Sequence, residues 1–191
     1  MFDLQDAKKL ASNDKQKAMI SVIEVYAWQQ MVDTFGDIPY TDALKGADEP
    51  TPAYDDDAKI YADLIVRIND AIAKLNGAGT GYTSADIIFG GNVAKWKKFA
   101  NSVKLKLAMR MADANNTAAQ TAAQEAVTAG VLTSNSDNVI LNYLGSTPNS
   151  NPLWVDLVQS GRSDFVAANT VVDFMNAKSD PRRPFYFDNN L

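Results

Sequence analysis

Apolar side chains recur every three or four residues in four separate segments of the chain, and this spacing places them on one face of a helix. The four segments are residues 13–34, 55–76, 92–111 and 117–130. The most regular apolar face belongs to the second segment and consists of Tyr61, Leu64, Ile65, Ile68, Ile72 and Leu75. In the third segment, Trp96 and Phe99 stand three residues apart, a spacing typical of a buried helix face.

The other two helical segments add information about packing. Apolar residues form two stripes on the first segment, which indicates that neighbouring helices contact it on two sides. Gln29 and Gln30 interrupt these stripes. We expect both to face water, and the alternative is that they hydrogen-bond the following turn. The fourth segment is rich in alanine, which allows a neighbouring helix to approach closely. The sequence therefore predicts a mainly α fold of irregular, tetratricopeptide-like antiparallel helix pairs with long loops and little sheet.

The turn between the first two helices, residues 33–46, organises the predicted fold. Gly36 can adopt a positive φ without steric cost and so end the incoming helix. Pro39 disfavours helix at the residue before it. Four apolar side chains of the turn are expected to pack onto the surrounding helices, namely Phe35, Ile38, Tyr40 and Leu44.

Polar residues at the predicted helix starts indicate caps. The acidic run 55–57 opens the second helix, where a carboxylate can accept hydrogen bonds from free N–H groups. Binding of Ca²⁺ is the alternative for this run, although it lacks the ligand spacing of an EF-hand. Asn92 is the predicted cap of the third helix, and residues 117–120 have the pattern of a capping box for the fourth. Between them, the glycine-rich segment 77–91 is expected to be a flexible or turning loop.

The pattern changes from residue 131 onward. Alternation at Val139, Leu141 and Tyr143 predicts a short strand. A brief helix is predicted from Leu153, Trp154, Leu157 and Val158. Asn169 is expected to cap a last helix with four inward residues, namely Val171, Val172, Phe174 and Met175. The aromatic run 185–187 follows, and we expect further protein to cover it.

Composition and charge exclude several function classes. The chain has 18 basic and 23 acidic residues, a net charge of −5, whereas a nucleic-acid-binding protein needs a basic face. We expect the basic residues around the third helix to form a solvated face, namely Lys95, Lys97, Lys98, Lys104, Lys106 and Arg110. Because the chain has no His and no Cys, Ser–His–Asp and Cys–His catalysis and thiolate or imidazole zinc sites are excluded.

Several short motifs carry a family resemblance. They are Phe35–Tyr40 (FGDIPY), Pro52–Asp55, Ile60–Tyr61, Gly91–Asn92, Lys95–Asn101, Leu107–Arg110 and Asp180–Arg182. In this order over nearly the whole chain, they resemble the SusD/RagB family. These are surface lipoproteins that capture nutrients, mostly glycans, for outer-membrane transporters of Bacteroidetes.

The resemblance implies a non-catalytic glycan- or oligosaccharide-binding protein of the cell surface. Its implied partner is a SusC-like TonB-dependent transporter, with no cofactor, no nucleic acid, and membrane contact only through a lipid anchor absent from this chain. The family has an acylated N-terminus and continues beyond the Asp-Pro-Arg motif. We therefore expect residues 1–191 to form a single helical domain that is part of a larger SusD-like domain.

Candidate ligand residues follow from the chemistry of sugar recognition. Sugars are usually held by an aromatic face together with planar polar side chains. Four residues of the loop region 146–164 offer this chemistry, namely Asn149, Asn151, Trp154 and Arg162. The alternative for Trp154 is a place in the core of a short helix. The alternative function is a helical-repeat scaffold that binds other proteins and no small molecule. No catalytic residue and no metal ligand is predicted.

Overall fold

The helical periodicity of the sequence corresponds to helices in the described part of the chain, residues 1–162 and 164–187 of a computed structural model. The chain divides into two units, residues 1–141 and 142–191. The first unit contains helices α1 (Phe2–Leu10), α2 (Asp14–Phe35), α3 (Asp57–Asn76), α4 (Val93–Arg110) and α5 (Asn116–Ala129), with strands β1 (Ile38–Pro39) and β2 (Tyr54–Asp55). The described residues of the second unit contain α6 (Pro152–Trp154), a π-helical turn (Val155–Gln159), α7 (Asn169–Ala177) and α8 (Arg183–Tyr186). The mainly α prediction is confirmed, whereas the single domain over 1–191 stays a prediction.

Helix α3 lies at the centre of the first unit. Its apolar face is buried against α2 and α4. The buried residues on this face are Ile60, Leu64, Ile68, Ala71 and Leu75. Burying one Leu or Ile side chain fully contributes roughly 1.5–3 kcal/mol, so this face is a major source of stability.

Consecutive helices of the first unit run antiparallel. Near the end of α2, Asp33 contacts Tyr61 at the start of α3, while Glu24 in the middle of α2 contacts Arg67 further along α3. Helices α4 and α5 are paired in the same way, because Asn101 on α4 donates a hydrogen bond of 2.9 Å to the carbonyl of Gly130 beyond the end of α5.

The turn after α2 is held by carboxylates as well as by apolar packing. Gly36 has a φ of 72° and ends the helix as predicted, and Ile38 is buried. Asp55 on β2 accepts hydrogen bonds from the backbone N–H groups of Tyr40 and Thr41 at 3.2 and 2.8 Å. The prediction for Phe35 is wrong: its side chain is 65% exposed. Phe35 is the last residue of α2 and lies beyond Val32, the last buried residue of that helix.

The glycine-rich connection between α3 and α4 is a turning loop organised by one carboxylate. The Asp86 oxygens accept hydrogen bonds from three backbone N–H groups and, at 2.7 Å, from the indole Nε1 of Trp96. Gly91 has a φ of 85°, and a Cβ there would lie 2.3 Å from the carbonyl oxygen of Tyr82. The loop therefore packs directly onto the start of α4. Trp96 and Phe99 are buried, as predicted.

The predicted caps are confirmed at two helices and wrong at two. Asp56 and Asn92 each accept a hydrogen bond at the start of their helix, from the N–H of Lys59 and Lys95. Helix α5 is capped by Asn115, whose side chain accepts from the N–H of Ala118, so the capping box at residues 117–120 is wrong. Helix α7 begins at Asn169 itself, without a side-chain cap at the preceding residue.

Two predictions of solvent exposure are wrong because distant residues bury the side chains. Gln29 is fully buried on α2, while Gln30 is exposed as expected. Lys104 is buried on α4, where it forms an ion pair with Glu125 of α5. Its partner lies on another helix, so the charge pattern of α4 alone does not reveal the burial.

The second unit has short elements and many exposed apolar residues. The strand predicted around residues 139–143 is wrong, because these residues have no ladder partner among the described residues. The N–H of Leu144 instead donates a hydrogen bond of 2.8 Å to the carbonyl of Asn149. The brief helix is present, but its four apolar residues are not buried. On α7, Val172 and Met175 are buried as predicted, whereas Val171 and Phe174 are exposed.

Truncation of Trp96 tests the α4 core. We expect Trp96→Ala to lower the free energy of unfolding by about 3–5 kcal/mol, because it removes a buried ring and one partner of Asp86. Urea denaturation measures the change. Met109→Ala on the exposed side of the same helix is the control and should leave the midpoint nearly unchanged. Similar midpoints for both variants would show that Trp96 is not part of the core.

Acid titration tests the role of Asp86. Burial by itself would raise the pKa of this carboxyl, but hydrogen bonds from Trp96 and from backbone N–H groups hold it below its ordinary value. Its stabilising effect is therefore complete above the unfolded-state pKa of about 3.9 and is lost as the pH falls below that value. We expect the stability difference between wild type and Asp86→Asn to shrink between neutral pH and about pH 3. A stability difference between wild type and Asp86→Asn that does not change with pH would contradict the prediction.

Candidate functional site

The four predicted ligand residues lie in the second unit and are all exposed. The Asn151 side chain caps α6 by accepting a hydrogen bond from the N–H of Leu153 at 2.9 Å. Arg162 forms an ion pair with Asp164 and stacks over Phe165, with its guanidinium carbon 4.8 Å from the ring centre. Within the described residues, no hydrogen bond joins two of the four. Their role in ligand binding stays a prediction.

Trp154 is 42% exposed, so part of its ring faces solvent rather than a core. It lies on a single helical turn, where Asn151 and Pro152 set the start of the helix. This placement leaves the Trp154 ring available to stack against a sugar ring.

A first polar cavity lies beside the turn at residues 33–46, and we call it the turn cavity. It has a volume of about 210 Å³, and its charged and aromatic lining consists of Glu24, Trp28, Tyr40, Asp63 and Arg67. The guanidinium of Arg67 donates to the Tyr40 hydroxyl at 2.7 Å and to Glu24 Oε2 at 3.0 Å. Tyr40 in turn donates to Asp63, and its ring meets Trp28 edge to face at 4.8 Å.

Electrostatics in the turn cavity favour a closed network. Burial and the hydrogen bond to Asp63 raise the pKa of Tyr40 to about 12, so the hydroxyl stays protonated and remains a donor. Glu24, whose side chain is buried, is paired with both Arg67 and the ammonium of Lys8 at 2.7 Å. Each charged group already has a partner of opposite charge or a hydrogen bond, so the arrangement is suited to holding the turn on the helices.

A second polar cavity lies where the end of α2, the start of α3 and the end of α4 meet, and we call it the helix-end cavity. It has a volume of about 520 Å³, with polar groups from Asp33, Asp57, Tyr61, Arg110 and Asn115. Tyr61 donates a hydrogen bond to Asp33, and Arg110 Nε donates to the same carboxylate oxygen at 3.2 Å. The remaining lining is small or apolar and consists of Val32, Gly36, Ala58, Ala62, Met111 and Ala114.

Tyr61 is a neutral donor within this cavity. Burial and its hydrogen bond to Asp33 raise the pKa of Tyr61 above its ordinary value, although Arg110 and Gln29 act in the opposite direction. Gln29 is buried on α2, and neither of its polar side-chain atoms makes a hydrogen bond among the described residues.

Neither polar cluster is evident from the sequence pattern. Tyr61 and Arg110 belong to motifs that carry the family resemblance, and Asp33 opens the turn at residues 33–46, but the convergence of the three depends on the packing of three helices. Glu24 and Arg67 could have been noticed as charges within apolar helix faces. No group of three or more potential metal-ligating side chains comes together within residues 1–162 and 164–187. In the same ranges, no helix is long and apolar enough to cross a membrane.

Removal of Arg67 tests whether the turn cavity stabilises the fold. We expect Arg67→Ala to lower the free energy of unfolding by about 3 kcal/mol, because Glu24 stays buried with one partner fewer. Lys74→Ala on the same helix is the control: its exposed pair with Asp70 should contribute no more than about 0.5 kcal/mol. Chemical denaturation measures both, and equal losses would show that the network contributes no more than a surface pair.

Comparisons with known proteins place the chain in a family. The model of the family described as "Starch-binding associating with outer membrane" matches residues 1–191. Among solved structures, a SusD homolog from Bacteroides uniformis is 31% identical, with a TM-score of 0.80, over 96% of this chain and 39% of that chain. A chitin-binding SusD homolog from Flavobacterium johnsoniae is 27% identical, with a TM-score of 0.77, over 95% of this chain and 38% of that one.

A SusD homolog from Bacteroides ovatus is 29% identical, with a TM-score of 0.77, over 96% of this chain and 37% of its own. A search of curated proteins finds no match. The chain spans about two fifths of the length of these solved relatives. Because the family model covers every residue and the fold agrees with that of several homologs, the chain belongs to the SusD-like family that its motifs indicate.

Proposed function

We propose that the protein is a non-catalytic binding protein that captures glycans at the outer membrane of the cell. The observation that carries the proposal is membership of the SusD-like family over the whole chain, together with structural similarity to a chitin-binding homolog. The ligand class is an oligosaccharide, with starch-like and chitin-like oligomers as the first candidates.

The chemistry of the chain supports binding over catalysis. The loop with Trp154 and Arg162 offers an exposed aromatic ring and a guanidinium, and the helix-end cavity offers carboxylates, a hydroxyl and an amide. These are groups that form hydrogen bonds with sugar hydroxyls. With neither His nor Cys in the sequence, a nucleophile–base pair would have to come from carboxylate, Lys or Tyr side chains.

The proposed partner is a SusC-like TonB-dependent transporter, and the proposed location is the outer surface of the outer membrane. Both rest on family membership and on the description of the family as associating with the outer membrane. A transporter gene beside the gene for this protein, accompanied by genes for glycoside hydrolases, would support this partnership and narrow the ligand.

A second candidate function is that of a helical scaffold that binds only protein. Exposed apolar side chains in the second unit favour it, since exposed apolar residues of this kind commonly mark protein contacts. Among them are Leu153, Val166, Phe174 and Phe185. A glycan-binding protein should bind soluble oligosaccharides, whereas a scaffold that binds only protein should not.

Titration with soluble oligosaccharides tests the proposed function. We expect at least one of maltohexaose and chitohexaose to raise the melting temperature of the chain in a saturable manner, because a ligand that binds only the folded state stabilises it. A reducing-end assay on the same mixtures should show no release of new ends. A scaffold would show no thermal shift with either sugar, and release of reducing ends would contradict the non-catalytic role.

A further inference from the structure

We propose that the helix-end cavity is a binding site for a neutral oligosaccharide, with Arg110, Asp57 and Asn115 as its hydrogen-bonding groups. This inference rests on the proposed function, glycan capture, and it assigns a site within the first unit. It is independent of the four loop residues of the second unit.

Several polar groups of this cavity have hydrogen-bond donors or acceptors that the described residues do not use. Within the described residues, the terminal guanidinium nitrogens of Arg110 and the carboxylate of Asp57 make no hydrogen bond. The Asn115 side chain uses its oxygen to cap α5, which leaves its amide N–H₂ available. A guanidinium, a carboxylate and an amide are planar groups that can each form two hydrogen bonds with adjacent sugar hydroxyls.

The cavity also has the size of a ligand pocket, and part of its lining is apolar. A volume of about 520 Å³ lies within the range of roughly 300–1,000 Å³ that is usual for small-ligand pockets. The lining also includes Ala58, Ala62 and Ala114, whose side chains are small and exposed. Such side chains can contact the C–H face of a sugar ring while its hydroxyls form hydrogen bonds with the polar groups of the lining.

Charge determines which sugars the cavity favours. The lining contains two carboxylates, Asp33 and Asp57, and one guanidinium, Arg110, which gives a formal charge of −1. An anionic sugar would meet two carboxylates and a single cation in this lining, and like-charge contacts disfavour binding. The cavity is therefore suited to neutral hexoses and N-acetylhexosamines rather than to uronates.

Two other cavities of the first unit fit a sugar less well. The turn cavity has less than half the volume, and its charged groups are already paired with one another. An apolar cavity between α1, α2 and the 77–91 loop has a volume of about 430 Å³, but the polar atoms of its Asp86 and Trp96 are hydrogen-bonded to each other.

Amide proton–nitrogen correlation spectra of the isotope-labelled chain test the proposal. Maltohexaose, chitohexaose and hexagalacturonate are titrated separately, because this method detects weak binding and locates it. We expect one or both neutral sugars to shift amides in residues 57–62 and 110–115, and the uronate to shift them much less. Shifts confined to the second unit would overturn the proposed site while leaving glycan capture intact. No shifts with either neutral sugar would overturn both.

A pair of matched variants adds a steric test. Ala62→Trp places a large side chain in the cavity, and Ala73→Trp places the same side chain at an exposed position of α3 away from it. We expect Ala62→Trp to weaken binding of the neutral sugar by about tenfold or more and Ala73→Trp to leave it unchanged. Equal affinity in both variants would overturn the site. The spectra also show whether each variant is folded, and the wild-type shift pattern remains decisive if Ala62→Trp is not.

Discussion

Burial of the apolar face of α3 between α2 and α4 is the constraint on which the rest of the first unit depends. It fixes three consecutive helices in antiparallel order, so that the end of α2, the start of α3 and the end of α4 come together. Asp33, Tyr61 and Arg110 meet there only because of that packing. The same order places Glu24 opposite Arg67, so the two polar clusters are consequences of one apolar interface.

The long helices could be predicted because their signals are local. Apolar spacing, Gly36 after α2 and Asn92 before α4 act within a few residues of the structure that they determine. Several of the errors concern features that depend on distant partners. Gln29 and Lys104 are buried by other helices, and the strand expected near residue 139 has no partner strand in the part of the chain that the structure describes. Asp86 organises its loop through Trp96, ten residues away and beyond the start of the next helix, which no periodicity indicates.

The sequence predicts the class of ligand but not the residues that form the helix-end cavity. The motifs indicate the family and, through it, a sugar as ligand, but residue types do not show which polar side chains are already paired. In the turn cavity Arg67 donates from both of its terminal nitrogens, whereas in the helix-end cavity the one hydrogen bond that Arg110 makes within the described residues comes from its Nε. Both residues are arginines on amphipathic helices. Only the three-dimensional structure distinguishes an arginine that stabilises the fold from one whose terminal nitrogens can bind a ligand. The loop around Trp154 remains a candidate of a different kind, because it offers an exposed ring on a short helical turn.

The central claim is that the helical body itself, and not only the loops of the second unit, provides an oligosaccharide-binding surface. The most direct measurement is a crystal structure of the chain grown with the neutral oligosaccharide that shows the strongest thermal shift. The account predicts a sugar ring against Ala58, Ala62 and Ala114, with hydroxyls hydrogen-bonded to Arg110 and Asp57. A sugar bound only near Trp154, with the helix-end cavity unchanged, would contradict it.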